Sequence, residues 1–267
     1  MKKIAVVLLT LAMLIGICAC SPKEKYDKET GLISKDKLVV GIDVQFPPMG
    51  FRDTQNNIVG FDIDLAKAVA EKMGVTVEFK VIDWAVKEQE LTNGNIDVIW
   101  NGYTITDKRK ENVDFTAPYL ANAQIVVVKN DASYNTLADI AGKKIAAQIE
   151  SSAEEAIKGN DDFYKSINEK ITGYSDNVTA LDDLKLGRID ALVVDKVVAE
   201  YYLAQRPDTY RILEESLDPE EYGIGVVKGN TVLLDRIQKA LNEVIEEGKA
   251  AEISTKWFGS DVVLKTK

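Results

Sequence analysis

The chain has 267 residues, 46% apolar and 28% charged, with 17 Gly and 6 Pro; this usage fits one large or two modest globular domains and excludes disordered or fibrous repeats. Acidic residues outnumber basic ones 43 to 33, and the resulting formal charge of −10 disfavours nucleic acid and anionic lipid headgroups as partners. No histidine occurs, which removes Ser-His-Asp and Cys-His pairs and His-based metal sites, so neither a metal nor a cofactor is expected.

Lys2 and Lys3 precede an uncharged run over 4–19. At roughly 16 residues it is short for the ~20 of a spanning helix and suits the core of an export signal, with an uncleaved anchor as the alternative. The run ends Ile17-Cys18-Ala19-Cys20-Ser21-Pro22, which resembles the lipobox of bacterial lipoproteins. Cys20, with small Ala19 before it, fits the lipidated position better than Cys18, which follows bulky Ile17. Residues 1–19 are then a signal peptide, and Cys20 is the only cysteine of the mature chain, so no internal disulfide is possible. Residues 20–36 are mostly polar and lack periodicity, and they read as a tether.

Beyond the tether, a strand is expected over 37–43 and an amphipathic helix over 62–73, where Ile63, Ala66, Val69, Ala70 and Met73 share one face and Gly74 follows. Apolar runs over 125–128 and 191–194 read as buried strands, with further strands over 96–100 and 143–149 and helices over 153–158, 177–186 and 197–204. Leu91-Thr92-Asn93-Gly94-Asn95-Ile96-Asp97 is echoed by Leu184-Lys185-Leu186-Gly187-Arg188-Ile189-Asp190, and Lys37-Leu38-Val39-Val40 more weakly by Lys143-Lys144-Ile145-Ala146. Chance likeness of strand-helix punctuation is the alternative to a duplicated unit. Two similar α/β units follow, each with a mostly parallel, doubly wound sheet, and ligands gather beyond the carboxyl ends of such strands.

Asp43, Phe46, Trp84, Asn101, Gly102, Tyr103, Thr104, Arg109, Gln148, Ser151, Ser152 and Asp195 lie at or just past those ends. Arg109 suits a carboxylate held by two parallel bonds, and Ser151 and Ser152 open a helix whose free N–H groups suit an anion. Asp195 is placed to accept bonds from an ammonium, so an Arg from one unit and an Asp from the other would clamp a zwitterion. Plainer roles exist for each: Asp195 as the N-cap of the next helix, Arg109 on a solvated face, the serines as ordinary caps, Phe46 and Trp84 as core.

The ordered set Phe46-Pro47-Pro48-Met49-Gly50-Phe51, Gly60-Phe61-Asp62-Ile63-Asp64-Leu65-Ala66, Gly102-Tyr103-Thr104-Ile105-Thr106-Asp107-Lys108-Arg109, Val113-Asp114-Phe115-Thr116 and Lys256-Trp257-Phe258 resembles the polar amino acid binding proteins of ABC importers, solute-binding family 3. The resemblance implies a type II periplasmic-binding fold, with one lobe of 37–120 plus 221–259, a second of 121–220, hinge crossings near Ala121 and Glu220, and a tail over 260–267. It implies that Arg109, Thr104 and Gly102, completed by Ser151 and Ser152, hold an α-carboxylate, and that Asp195 takes the α-ammonium. Phe46 and Trp84 would flank the side chain, whose far end Asp43 reaches, and Asn101 adds a polar contact. Glu150 stands where many relatives have Gly; it either points away or favours a cationic ligand.

The partners implied are a free amino acid and a permease, with the chain a monomer lipid-anchored at the outer face of a bacterial membrane. Arginine, lysine or ornithine is favoured, with glutamine and cystine open. A dehydratase-like enzyme of the same fold, using Glu150 or Glu154 as general acid, is the alternative.

Overall fold

A computed structural model describes residues 25–265; the expected signal peptide, Cys20 and the start of the expected tether lie outside the described residues. The chain runs through strands β1 (Lys37–Ile42), β2 (Gln45–Phe46), β3 (Gly50–Arg52) and β4 (Ile58–Val59), helix α1 (Phe61–Met73), β5 (Thr76–Val81), α2 (Lys87–Thr92), β6 (Val98–Ile99), α3 (Asp107–Lys110) and β7 (Val113–Phe115). It continues through β8 (Leu120–Lys129), β9 (Ile145–Gln148), α4 (Ser152–Gly159), α5 (Asp161–Ser166), β10 (Ile171–Tyr174), α6 (Asn177–Lys185), β11 (Ala191–Asp195) and α7 (Lys196–Gln205). The last elements are β12 (Tyr210–Tyr222), β13 (Gly225–Val227), α8 (Thr231–Glu246) and α9 (Lys249–Phe258).

Two five-stranded sheets organise these elements, in the orders β5-β1-β6-β13-β7 and β10-β9-β11-β8-β12, with a small three-stranded sheet β2-β3-β4 beside the first. The internal echo of the sequence is an echo of topology, because β1 and β9 occupy the same place in their sheets, as do β6 and β11. Each sheet is mixed rather than mostly parallel: the three strands on one side pair in parallel, and the other two junctions are antiparallel. An apolar run such as 125–128 signals burial on both faces but carries no mark of strand direction.

Strands β8 and β12 are the long antiparallel pair that leads from one sheet to the other, in register from Leu120↔Tyr222 through Asn122↔Glu220 to Lys129↔Tyr210, with shifts near Ser216. The chain therefore leaves the first sheet once and returns once, and β13 is inserted between β6 and β7.

Helix α1 shows how local sequence sets an element. Its N-cap is Gly60, Asp62 and Asp64 occupy the first turn, and Gly74 ends it in the left-handed conformation. Its buried face, Phe61, Ile63, Leu65, Ala66, Val69 and Ala70, joins one core cluster with Leu233, Ile237, Leu241 and Val244 of α8. Full burial of each large apolar side chain contributes about 1.5–3 kcal/mol.

The segment 25–36, read as tether, is packed on the first lobe. Leu32 is fully buried, the Ile33 N–H donates to Asp97 Oδ1 (2.7 Å), and the Tyr26 hydroxyl donates to the Leu91 carbonyl (3.2 Å). Tyr26, Leu32 and Ile33 are too few and too unevenly spaced within a polar stretch to show periodicity, so the burial of Leu32 was not legible. Residues read as the tail also engage the fold, since the Leu264 N–H donates to the Tyr119 carbonyl (2.9 Å). No helix among the described residues is long and apolar enough to cross a membrane.

Candidate functional site

Past β6 the chain turns through Trp100, Asn101 and Gly102. The Gly102 N–H donates to Asp62 Oδ2 (2.7 Å) in the first turn of α1. Gly102 has φ +60°, and a Cβ there would lie 2.6 Å from the Phe46 ring, so both conformation and space call for glycine. Burial pushes the Asp62 carboxyl up to about 7, against the pull of the Gly102 N–H.

The same turn delivers Thr104, and Thr106 then caps α3, accepting the Arg109 N–H (3.2 Å). Arg109 is thereby folded back under the turn and is only 4% exposed. Its Nη1 donates to the Thr104 carbonyl (2.8 Å), and its guanidinium carbon lies 4.6 Å from the centre of the Tyr103 ring. The Tyr103 hydroxyl donates to Glu88 Oε1 (2.7 Å), which stands 3.9 Å from Arg109 Nε. Arg109 Nε and Nη2 are buried and make no hydrogen bond. A buried guanidinium with two unbonded nitrogens is costly alone and is matched by a carboxylate.

Facing this turn, β9 ends at Gln148 and α4 begins at Ser152. Ser151 caps α4, accepting the Glu154 N–H (3.2 Å) and donating to the Gln148 carbonyl (2.7 Å). The hydroxyls of Ser152 and Thr104 are 3.0 Å apart, which brings the two expected carboxylate-holding segments together. Glu150 adopts φ +55°, a conformation that favours glycine. Its side chain is half exposed and lies 4.0 Å from Lys108, so of the two expectations the carboxylate follows the one that turns it outward.

Asp195 ends β11 and is 4% exposed. It precedes α7 but makes no capping bond; the Val197 N–H instead donates to Asn122 Oδ1 (3.3 Å). Its Oδ1 accepts from Asn122 Nδ2 (2.8 Å) and from the Tyr222 hydroxyl. Because the Tyr222 backbone bridges to Thr104, one residue ties the Arg109 turn to Asp195. The expected pair of opposite charges is therefore buried at linked positions, Arg109 on α3 beside the first sheet and Asp195 at the end of β11 in the second.

At the other end, Asp43 Oδ2 accepts from Gln148 Nε2 (2.8 Å) across the cleft, and burial, chiefly, raises its carboxyl above the usual range. Phe46 and Trp84 are buried nearby, and Trp84 meets Tyr103 edge-on at 5.9 Å. Asn101 is buried against Gly50, and neither end of its side-chain amide is hydrogen-bonded.

Sequence reasoning missed several groups here. Lys87 is buried and donates to the Glu150 carbonyl across the cleft (2.7 Å), and burial, aided by Arg109, brings its ammonium down to about 8. Within Lys87-Glu88-Gln89-Glu90 it reads as part of a solvated helix face. Asn122 and Gln124 are buried polar residues of β8, and their alternate spacing beside an apolar run was the available signal. Glu220, in the charged run Asp218-Pro219-Glu220-Glu221, accepts from both amides. A cavity of about 700 Å³ opens beside them, lined by Thr104, Asp107, Ser152, Glu155 and Glu220 among others.

Neither candidate general acid is free for that task. Glu150 faces outward, and Glu154 accepts from the Glu150 N–H (2.8 Å) and pairs with Lys158 (2.6 Å). Among the described residues no group of three His, Cys, Asp or Glu side chains could hold a metal ion.

Two lobes of mixed α/β structure joined by a doubled crossing, with the candidate site between them, define a type II periplasmic-binding fold. The chain belongs to the bacterial extracellular solute-binding proteins, family 3, whose model matches residues 38–260. It is 32% identical to the L-cystine-binding protein TcyJ of Escherichia coli (strain K12) over 240 residues, 88% of each chain. A histidine-bound substrate-binding protein of an ABC uptake transporter from Streptococcus pneumoniae matches with a TM-score of 0.83 and 41% identity, covering 86% of this chain and 95% of that one. An ancestral arginine-binding protein bound to arginine matches at 0.78 and 43%, covering 84% and 98%. These relatives are binding proteins rather than enzymes.

Proposed function

We propose that this chain is the substrate-binding lipoprotein of an ABC importer, lipid-anchored through Cys20 outside the cell membrane. It captures a polar or cationic L-α-amino acid between its lobes and delivers it to the permease. The observation that carries this reading is the buried pair Arg109 and Asp195, opposite charges on different lobes, with two guanidinium nitrogens unbonded. The family's named ligands, cystine, histidine and arginine, are all zwitterionic amino acids and support it.

In this reading Arg109, Thr104, Gly102, Ser151 and Ser152 hold the α-carboxylate. Asp195 takes the α-ammonium, and Phe46, Trp84, Asn101 and Gln148 surround the side chain, with Asp43 at its far end. The buried Asp43 carboxyl favours arginine, lysine or ornithine. Lobe 1 comprises 37–120 plus 221–259 and lobe 2 comprises 121–220, so the β8–β12 pair is the hinge, and the packed 25–36 segment shortens the tether to the residues before it. Contacts made only in the closed form shift the lobe equilibrium. A change from 1:99 to 99:1 takes about 5.5 kcal/mol, within reach of two or three charge-assisted bonds at about 1.5–3 kcal/mol each.

A thermal-shift screen of the twenty amino acids plus ornithine and cystine tests this function. A rise in Tm with a cationic amino acid is expected, because a ligand bound only to the native state stabilises it. A flat response to every compound would overturn the reading.

A further inference from the structure

Asp195 is not the only carboxyl at the expected ammonium seat. Glu220 projects from the adjoining hinge strand, and its Oε1 accepts from Asn122 Nδ2 (2.6 Å) and Gln124 Nε2 (2.9 Å). The same Asn122 nitrogen donates to Asp195 Oδ1 (2.8 Å), so one amide nitrogen is flanked by oxygens of two carboxyls. Two buried carboxyls held to one nitrogen repel each other when both are ionised, and this favours a proton on one of them. Glu220 lines the 700 Å³ cavity at the edge of the site and is thus both at its mouth and at Asp195.

The groups around this pair leave it uncompensated. Strand β8 presents the neutral amides of Asn122 and Gln124, β11 presents Asp195, and β12 adds the Tyr222 hydroxyl. Across the cavity stand Ser152 and Glu155 from α4, Asp107 from α3, and Asp161 and Asp162 from α5, with Asp218 on β12 itself. None of these is a cation; Lys108 is paired with Glu155 (3.4 Å), and Arg109 stands behind the Thr104 turn, bonded to its carbonyl. Burial first, and Asp195 second, raise the Glu220 carboxyl well above the ordinary range.

Resting on the reading that Asp195 receives the α-ammonium, we propose that Glu220 is a second acceptor for that ammonium and that capture expels a proton held by this carboxyl pair. The amino acid enters with its –NH3⁺ intact, the O–H bond of that proton breaks, and the proton leaves to the solvent. The pair passes from one negative charge to two as the ammonium arrives beside it. Glu220 thereby makes the site demand a full ammonium: a guest lacking it has nothing to offset the second charge.

Titration calorimetry of the full chain at pH 7 with L-arginine, L-glutamine and L-cystine, each in phosphate and in Tris, tests the proposal. Whichever of the three binds is expected to release about one proton per molecule, seen as a difference in apparent enthalpy between the buffers, and its affinity is expected to rise with pH near neutrality. Glu220→Gln, a neutral side chain of the same shape with no acid proton to lose, is expected to bind about ten-fold more weakly with no buffer dependence. Asp195→Asn is expected to abolish binding. Binding by the wild type without proton release, or equal release from Glu220→Gln, overturns the proposal alone. Unchanged binding by Asp195→Asn, or no binding of any of the three by the wild type, overturns the underlying reading and the proposal with it. Should Glu220→Gln fail to fold, the wild-type pH profile decides, a flat one refuting the proposal.

Discussion

Arg109→Met separates the stability of the empty protein from its capacity to bind. Two nitrogens of Arg109, Nε and Nη2, are buried without a hydrogen bond. Charge-assisted bonds from both to a carboxylate contribute about 1.5–3 kcal/mol each, so their loss weakens binding by about 3–6 kcal/mol, or roughly 10²–10⁴-fold. The empty fold loses the 2.8 Å bond to the Thr104 carbonyl, the contact with the Tyr103 ring and the 3.9 Å ion pair with Glu88, but it sheds a buried charge with unmet donors. These opposing effects leave its stability within about 1 kcal/mol of the wild type, or about 2–4 °C in Tm. At a ligand concentration 100 times the wild-type Kd, the wild type gains about 2.7 kcal/mol and a Tm rise of about 5–10 °C, whereas the variant gains about 0.4 kcal/mol or less. Calorimetric scans of both proteins with and without the amino acid selected by the screen measure this. A variant that keeps the wild-type Tm rise would refute the carboxylate assignment, and one that unfolds when empty would show Arg109 to be a structural strut.

Lys87→Met removes the 2.7 Å bond to the Glu150 carbonyl, a contact between lobes, while sparing the cost of burying an ammonium. The net effect expected is a ligand affinity about ten-fold lower by titration calorimetry, with small-angle scattering showing a more open ensemble. Glu150→Gly relieves a left-handed backbone and gives up only an exposed ion pair to Lys108, so a gain of about 1 kcal/mol, seen as a Tm higher by about 2–4 °C, is expected. The Asp62 carboxyl, raised to about 7 against an unfolded value near 3.8, holds its proton longer in the folded state, so its contribution to stability falls as pH rises between those values. Denaturant titrations from pH 4 to 7 should show Asp62→Asn gaining on the wild type by about 1.4 kcal/mol per pH unit, and a constant difference would place the Asp62 proton elsewhere.

What the sequence made legible follows from how local each signal is. The period of α1 and its glycine stop, the echo that marks β1, β6, β9 and β11, and the strand-end placement of Arg109, Ser152 and Asp195 are each written within about ten residues. Strand direction is not, and β12 was hidden because a hinge strand running through Glu214-Glu215-Ser216 and Asp218-Pro219-Glu220 has no apolar alternation to show. The candidate residues that sequence reasoning passed over have a common property: their partners lie far along the chain. Lys87 looks solvated until the carbonyl of Glu150 is brought to it from the other lobe, and Glu220 looks like surface charge until β8 sets two amides beside it. A reading that takes one element at a time assigns such charges to water by default, and this default fails where two lobes close on each other. Charges that a single folded unit would place outside are buried here at the join between units, where desolvation makes every unmatched charge costly.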